Sequence, residues 1–424
     1  MSILIINGKL IDPSQNISSN KDILIEGKKI KGIYSKGKGP KADKVIDASD
    51  CIVMPGFVDM HTHLREPGFE YKETISTGTM AAARGGFTSV CCMPNTNPVN
   101  DTISVAEFIL KKAAKEGSCS VYPIAAITKG QSGETLTELE ALINVGCVAF
   151  SDDGRPVMNS LIMRRALEYS RIFDVPVIAH CEDLMLSEGG VMNEGLMSTT
   201  LGLHGIPRAA EEVMVARDIA LCELTGGRLH IAHVSSRGSV SMIRDAKSRG
   251  INLTAETCPH YFTLTDESLN GYDTNFKVNP PIRTAADVQA IKEGLKDGTI
   301  DVIATDHAPH HYDEKNCEFD KAAFGISGLE TAFSLGLRLV NEKVIDLMQL
   351  ITMMSVTPSK IMRINKGTLA EGADADITIV DLNRTYKIDS AKFLSKGKNT
   401  PFNGWELNGV VMKTITMGKV QEWE

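Results

Sequence analysis

The chain has 424 residues, 42% hydrophobic and 23% charged, a composition typical of a globular protein large enough for one big domain and a smaller one. Its formal charge is 45 − 53 = −8 without a block of basic residues, which disfavours binding to nucleic acid or to an anionic membrane surface. No apolar run reaches the roughly 20 residues of a membrane-spanning helix.

The cysteines and the N-terminal segment both indicate the cellular compartment in which the protein is expected. The nine cysteines are odd in number, form no CxxC pair and lie mostly in apolar runs such as residues 90–93 (VCCM). The N-terminal segment has no basic start and too short an apolar stretch for a signal peptide. Since reduced, buried cysteines are typical of an intracellular protein, we expect a cytoplasmic enzyme.

The two ends of the chain share one pattern. Short β-branched stretches separated by glycine turns occur at residues 4–7, 23–25 and 30–34, and again at 375–381 and 410–417. Such runs bounded by turn residues predict strands. We therefore predict a small β-sandwich domain formed by both termini, from residues 1–52 and 364–424.

The middle of the chain, residues 53–363, alternates apolar strands with helix-length segments such as 103–116 and 285–297. The predicted strands cover residues 52–59, 88–93, 120–127, 147–150, 175–180, 229–233, 252–256 and 301–304. Eight such units over roughly 250 residues match the size of a TIM barrel. The predicted fold is therefore α/β, a (β/α)8 catalytic barrel beside the small β domain.

Polar residues cluster at the carboxyl ends of these predicted strands. His61 and His63 end the first strand, and side chains two residues apart on a strand share a face. Further polar residues that follow other strands are Asn95, Asp152, Asp153, His180, His233 and Asp306. Because active sites of such barrels lie at this end, histidines and aspartates from several strands predict a shared metal site.

The donor types indicate which metal and which chemistry to expect. Imidazole and carboxylate without thiolate suit Zn²⁺, with Mn²⁺, Co²⁺ or Fe²⁺ as substitutes. The number of candidate ligands exceeds the three protein ligands of a mononuclear catalytic zinc, so we expect two metals bridged by one carboxylate. An aspartate beside them can take a proton from water and pass it to a leaving nitrogen. This pattern predicts metal-dependent hydrolysis.

Several motifs resemble a known family. Residues 55–63 (PGFVDMHTH) with Asp306 are similar to the amidohydrolase superfamily, which includes hydantoinases and allantoinases. The motifs that resemble dihydroorotases more narrowly are 63–68 (HLREPG), 93–98 (MPNTNP), 279–281 (NPP), 306–310 (DHAPH) and 324–326 (FGI). The likeness covers nearly the whole chain. It implies reversible cyclisation of N-carbamoyl-L-aspartate to L-dihydroorotate, with release of water, in de novo pyrimidine biosynthesis.

The resemblance also implies roles for individual residues. His61, His63 and Asp306 would bind a first zinc, His180 and His233 a second, and Asp153 would bridge the two. Asp306 would also carry the proton. The substrate carboxylate would lie on Arg65 and Asn95 with help from His310, and the pyrimidine ring on Asn279 and the backbone of Phe324 and Gly325.

The fourth strand departs from a common pattern of the family. Many members bridge their metals with a carboxylated lysine there, whereas residues 146–154 (GCVAFSDDG) contain no lysine. The sequence resembles a branch with an aspartate at that position. Motif position favours Asp153, and Asp152 is the competitor, since neighbouring strand residues face opposite ways. A short carboxylate would hold the second zinc less firmly, so we expect one or two zinc ions and favour two.

Two other functions compete with this one. The first is another cyclic amidase, an allantoinase or hydantoinase, against which Arg65 argues because its fork of donors suits a carboxylate that those substrates lack. If Arg65 had only a structural role, we would expect it to form an ion pair with Glu66 or Glu70. The second is a non-catalytic scaffold for aspartate transcarbamoylase, although such chains typically lose metal ligands.

Two further questions stay open at this point. A homodimer and a transcarbamoylase partner are both compatible with the resemblance, and neither nucleic acid nor membrane is expected. The charged segment 311–321 lies between His310 and Phe324. It reads equally well as a solvated loop and as a lid over the substrate.

Overall fold

The computed structural model describes residues 1–269 and 271–423. The first strands are β1 (Ser2–Ile6), β2 (Lys9–Asp12), β3 (Ile17–Glu26), β4 (Lys29–Ser35), β5 (Lys44–Asp47) and β6 (Ile52–Pro55). The central strands are β7 (Phe57–Thr62), β8 (Phe87–Cys92), β9 (Ser120–Pro123), β10 (Phe150–Ser151), β11 (Val177–Ala179), β12 (Met192–Asn193), β13 (Gly205–Ile206), β14 (Leu229–Ile231), β15 (Leu253–Thr257) and β16 (Val302–Ile303). The last strands are β17 (Ile377–Lys387), β18 (Glu406–Thr416) and β19 (Lys419–Glu422).

Helices lie between the central strands and after them. They are α1 (Ile75–Arg84), α2 (Ile103–Glu116), α3 (Leu139–Val145), α4 (Ser160–Phe173), α5 (Leu196–Leu201), α6 (Ala209–Thr225), α7 (Arg237–Ser248), α8 (Pro259–Thr263), α9 (Ala285–Asp297), α10 (Tyr312–Lys315), α11 (Ala332–Asn341), α12 (Leu347–Ile351) and α13 (Thr357–Ile361). Among the described residues, no helix combines the length and the apolar character needed to cross a membrane.

Both ends of the chain meet in one sheet. Its nine strands run in the order β19-β18-β17-β6-β2-β3-β1-β5, with β4 paired to β3. The long strand β3 pairs with β2 through its first residues and with β1 and β4 through its last, which divides the sheet into two halves. Ile5 and Ile25 from one half share a core with Ile377 and Ile379 from the other. The predicted β domain built from both termini is thereby confirmed.

Eight of the ten central strands form the predicted barrel, and β12 and β13 pair in a separate two-stranded sheet. Three parallel strands, β7-β8-β9, and five more, β10-β11-β14-β15-β16, make two sheets. Parallel bridges from Ala125 to Phe150 and from Thr62 to His307 join them at both seams. The result is a closed barrel of eight strands wrapped by helices. Strands β7 and β8 are buried along their whole length, as expected for parallel strands covered on both faces.

The first predicted barrel strand, residues 52–59, is wrong in one respect: it is two strands. Residues 52–55 form β6 in the terminal sheet, and β7 starts the barrel at Phe57. Gly56 lies between the two strands, at the point where the chain passes from the terminal sheet to the barrel. Glycine is required there, because a Cβ at this position would lie 2.2 Å from Thr88 Oγ1. The division into 1–52 with 364–424 and 53–363 stays a proposal, and we now place its first boundary at Gly56.

Candidate metal centre and substrate pocket

The barrel brings together the predicted metal ligands at the carboxyl ends of its strands. His61 lies in β7 and His63 directly follows it. The remaining predicted ligands follow β10, β11, β14 and β16, and they are Asp153, His180, His233 and Asp306. All of these side chains are buried.

The ligand atoms converge on the carboxylates of Asp153 and Asp306. His61 Nε2 lies 3.4 Å from Asp153 Oδ1 and 3.4 Å from Asp306 Oδ1. His63 Nε2 lies 3.1 Å from Asp306 Oδ1 and 3.5 Å from Asp153 Oδ2. His180 Nδ1 and His233 Nε2 each lie 3.5 Å from Asp153 Oδ1. The Asp153 carboxylate is therefore within reach of every imidazole in the cluster.

Acceptors behind the histidines fix their orientation. Glu256 Oε1 lies 2.6 Å from His61 Nδ1, and Glu182 Oε2 lies 3.0 Å from His180 Nε2. Asn95 Oδ1 lies 2.9 Å from His63 Nδ1. Each acceptor takes the N–H of one ring nitrogen and leaves the lone pair of the other facing the cluster, as in metal-binding histidines generally.

Glu256 is a site residue that the sequence reasoning missed. It is fully buried in β15 and also lies 3.2 Å from His230 Nε2. The two imidazoles lower the pKa of Glu256, although burial alone would raise it. The signal available from the sequence was a carboxylate inside a short predicted strand. Its partners on other strands could be seen only after folding.

The structure separates the two neighbouring aspartates after β10. Asp152 accepts hydrogen bonds from the backbone of Ile127 at 2.8 Å and of Thr128 at 3.1 Å, and another from the Thr128 hydroxyl. Burial raises the pKa of Asp152 to about 6. Asp152 therefore holds the turn after β9, and Asp153 is the carboxylate that faces the histidines.

The cluster has the properties expected of a cation site. His61 Nε2 and Asp153 Oδ1 are buried and have no hydrogen-bond partner within the described residues. Burial lowers the pKa of His61, but Asp153, Asp306 and Glu256 raise it well above its ordinary value. Two ligand groups, His61–His63–Asp306 and His61–Asp153–His233, each have their donor atoms within 4.8 Å of one another. The carboxylates that raise this pKa would also attract a divalent cation, so the residues present fit the metal.

A cavity of about 220 Å³ opens beside this cluster. The predicted substrate residues line it together with most of the predicted ligands: Arg65, Asn95, Asn279, His310, Phe324, Gly325, His63, Asp153, His180, His233 and Asp306. His61 lies behind this layer. The predicted site residues are thus brought together at one pocket.

Arg65 faces the cavity without an anionic partner. Its Nε donates to Pro309 O at 3.3 Å, and one terminal nitrogen lies 3.3 Å from His310 Nε2. Glu66 accepts instead from the Ile75 backbone at 2.8 Å, and Glu70 accepts from Gly68 N at 2.9 Å. Within the described chain no carboxylate lies within 4.0 Å of the guanidinium, so it is available to an anionic ligand.

Three residues of the same pocket have a strained backbone. Arg65, His233 and Asp306 have φ values of 62°, 34° and 48°, in the left-handed region that residues with a Cβ rarely adopt. Such conformations persist where the surrounding structure holds them, often at functional sites. Here they turn the side chains from the strand ends into the cavity.

Solved structures define the class of protein. The fold is similar to the L-hydantoinase (dihydropyrimidinase) from Arthrobacter aurescens, with a TM-score of 0.90 and 25% identity over 100% of this chain and 96% of that one. A D-hydantoinase matches with a TM-score of 0.85 and 27% identity over 99% and 95% of the two chains. Fold and pocket together are those of a cyclic-amide hydrolase of the amidohydrolase superfamily.

Curated relatives identify the family to which the chain belongs within this class of hydrolases. The family described as "Dihydro-orotase-like" matches residues 50–239. Dihydroorotases from Syntrophus aciditrophicus and Geobacter metallireducens are 55% and 56% identical over 421 and 420 residues, 99% of each chain. One from Acetivibrio thermocellus is 56% identical over 419 residues, 99% of this chain and 98% of the relative.

This chain belongs to the dihydroorotase family. The predicted reaction, reversible cyclisation of N-carbamoyl-L-aspartate to L-dihydroorotate, is thereby confirmed. Neither another cyclic amidase nor a non-catalytic scaffold is favoured.

Proposed function

We propose that the chain carries out this reaction with zinc, two ions per chain. The proposed ligands are His61, His63, Asp153, His180, His233 and Asp306, with Asp153 bridging in place of a carboxylated lysine. The unpartnered, buried His61 Nε2 and Asp153 Oδ1 support this assignment. When bound, the metals would polarise the ring amide carbonyl and lower the pKa of the attacking water.

Three side chains would bind the carboxylate of the substrate. Arg65 supplies a guanidinium without an anionic partner, and His310 lies beside it. Asn95 uses its amide oxygen to orient His63, which leaves the amide nitrogen to donate to the ligand. The carboxylate would thus be held by Arg65 and Asn95, with His310 beside them.

The ring would lie against Asn279, Phe324 and Gly325. Asn279 Nδ2 donates to Glu182 Oε2 at 2.9 Å, so its amide oxygen is left to accept from the ring N–H. The Phe324 carbonyl already accepts from His310 at 2.8 Å and keeps a second lone pair for the ligand. These contacts would position the ring carbonyl toward the histidine cluster.

Asp306 would move the proton. Burial raises the pKa of Asp306, but His61 and His63 lower it below its ordinary value, so the carboxylate is ionised and can accept a proton. In ring opening it would take a proton from the attacking water and deliver it to the departing ring nitrogen. In ring closure it would return the same proton in the opposite direction.

The observation that carries the proposed carboxylate site is the unpartnered guanidinium of Arg65 beside the histidine cluster. We expect Arg65→Ala to raise KM for L-dihydroorotate by roughly 10- to 100-fold, because charge-assisted hydrogen bonds to the carboxylate are lost, while bound metal stays unchanged. Steady-state kinetics with metal analysis measures both. Arg164→Ala removes an exposed ion pair to Glu168 and serves as the control. Unaltered kinetics, or loss of metal, in Arg65→Ala would contradict the proposal.

Partners and location belong to the proposal as well. A soluble cytoplasmic enzyme acting on a small-molecule substrate agrees with the family. We keep a homodimer and an aspartate transcarbamoylase partner as alternatives, which light scattering of the purified chain, alone and mixed with the transcarbamoylase, would distinguish.

A further inference from the structure

Oxygen atoms flank both ring nitrogens of His310, and because burial lowers the pKa of His310 to about 4, the neutral ring donates to one of them at a time. Its Nε2 lies 2.8 Å from the Phe324 carbonyl oxygen, and its Nδ1 lies 3.2 Å from Glu314 Oε2. The orientation of the ring beside Arg65 therefore depends on Glu314, a residue outside every motif discussed above. Glu314 belongs to α10, within the segment 311–321.

Glu314 is itself fixed by the loop on the other side of the pocket. Lys72 Nζ lies 2.8 Å from Glu314 Oε1 and 3.5 Å from His310 Nδ1. The Tyr71 hydroxyl donates to Glu314 Oε1 at 3.3 Å, and the His311 backbone donates to Oε2 at 3.2 Å. The Lys72 and Glu314 side chains are only 14% and 29% exposed, so their charges are partly shielded from water.

Lys315, the residue after Glu314, joins the same segment to the backbone of residues 323–325. Lys315 Nζ donates to the carbonyl oxygens of Ala323 at 2.8 Å and of Gly325 at 3.3 Å. Phe319 in this segment is also buried. The short helix α10 therefore contacts both ends of the substrate pocket, the carboxylate end through Glu314 and the ring end through Lys315. Glu314, Lys315 and Phe319 thus support residues that line the cavity, while most of the segment 311–321 is exposed.

We infer that Lys72 and Glu314 are positioning residues for recognition of the substrate carboxylate, acting through His310. Glu314 aligns the imidazole next to Arg65, and Lys72 holds Glu314 in place and balances its charge, which would otherwise oppose an incoming carboxylate. The inference rests on the proposed function. It adds that the 311–321 segment must be seated against the loop carrying Lys72 for the carboxylate to bind.

The test is a double-mutant cycle on the full-length, metal-loaded enzyme. Glu314→Gln and Lys72→Met should each raise KM for L-dihydroorotate about tenfold with kcat changed less than threefold, because each removes a hydrogen bond with a charged partner that aligns His310. The double variant should be little worse than either single variant, since the pair acts as one unit. Glu107→Gln and Lys111→Met, which break an exposed pair in α2 at 2.7 Å, form the matched control cycle.

Several results would overturn the inference. Unchanged KM in both variants would show that the pair does not position His310. A parallel fall of kcat, bound metal and melting temperature would assign it a purely structural role, and fully additive effects would deny the coupling. Calorimetry measures the affinity of each variant for L-dihydroorotate and so tests substrate binding independently of turnover. Wild-type ring opening in the same assay tests the proposed function separately.

Discussion

At the scale of the residue, the candidate metal centre depends on carboxylates behind the histidines as much as on the histidines themselves. Glu256 and Glu182 each contact one imidazole nitrogen and so determine which nitrogen faces the cluster. The motif around His61 and His63 predicted that both side chains point toward one site, because spacing along a strand reveals which side chains share a face. Glu256 could not be predicted in this role, since its contact with His61 joins residues far apart in the chain.

Glu256→Gln tests this orienting role. The amide presents a different hydrogen-bonding group to His61 Nδ1 and removes the negative charge, so we expect zinc affinity to fall roughly 10- to 100-fold. Zinc titration by calorimetry gives the affinity. Asp22→Asn is the control, because Asp22 is buried in the terminal sheet, where it accepts from Gly37 N at 2.8 Å. Equal zinc affinity in Glu256→Gln and wild type would contradict the assignment.

At the scale of the element, the loop after β7 has to approach the loop after β8 closely. Gly68 has a φ of 96°, and a Cβ there would lie 2.0 Å from the Asn97 carbonyl oxygen. Asn97 N also donates to Pro67 O at 2.9 Å, so the two loops are joined along their backbones. These loops carry Arg65 and Asn95, and their contact constrains the distance between these two of the three proposed carboxylate ligands.

Gly68→Ala should therefore disturb substrate binding beyond its cost in stability. We expect KM for L-dihydroorotate to rise at least tenfold, because displacing the loop moves Arg65 relative to Asn95, while bound metal changes little. Gly37→Ala is the matched control, since its φ is 73° and a Cβ there meets nothing within 4 Å. Kinetics of the two variants at equal metal content decide the point. If both variants show the same small effect, the contact between the loops has no bearing on binding.

The observed strands and helices also show how much of the fold the sequence patterns could predict. The spacing of apolar runs predicted seven of the eight barrel strands to within four residues, and α2 and α9 at their observed bounds. The pattern did not separate β6 from β7, because one apolar run passes through Pro55 and Gly56 without a polar break. Which sheet each half joins is decided by tertiary pairing, such as that of β6 with β17. Local periodicity carries no such information.

At the scale of the whole molecule, Glu330 connects the barrel to the segment that links β17 to β18. It precedes α11 and accepts hydrogen bonds from the backbone N–H groups of Leu394 at 2.8 Å and Ser395 at 3.2 Å. Burial raises the pKa of Glu330 from 4.5 to about 7, outweighing the donated hydrogen bonds. The folded protein therefore binds this proton more tightly than the unfolded chain does.

The sign of the resulting pH dependence follows from linkage. Between pH 4.5 and pH 7 the folded state holds more protons at Glu330, so its contribution to the free energy of unfolding falls as pH rises. The loss amounts to about 3 kcal/mol at most across this window. Glu330→Gln stays neutral, so we expect its stability relative to wild type to improve by up to that amount toward higher pH. Urea unfolding at both ends of the window measures the difference, and a pH-independent difference would refute it.

The central claim is that this dihydroorotase opens its ring substrate with zinc held by the cluster around Asp153 and with Asp306 as the proton carrier. The most direct measurement follows loss of the ring-amide absorbance of L-dihydroorotate with metal-stripped protein, with protein reloaded with zinc, and with reloaded Asp306→Asn. We predict turnover only in the reloaded wild type, with two zinc ions per chain by metal analysis. Full turnover by the stripped protein, or by an Asp306→Asn variant, would contradict the account.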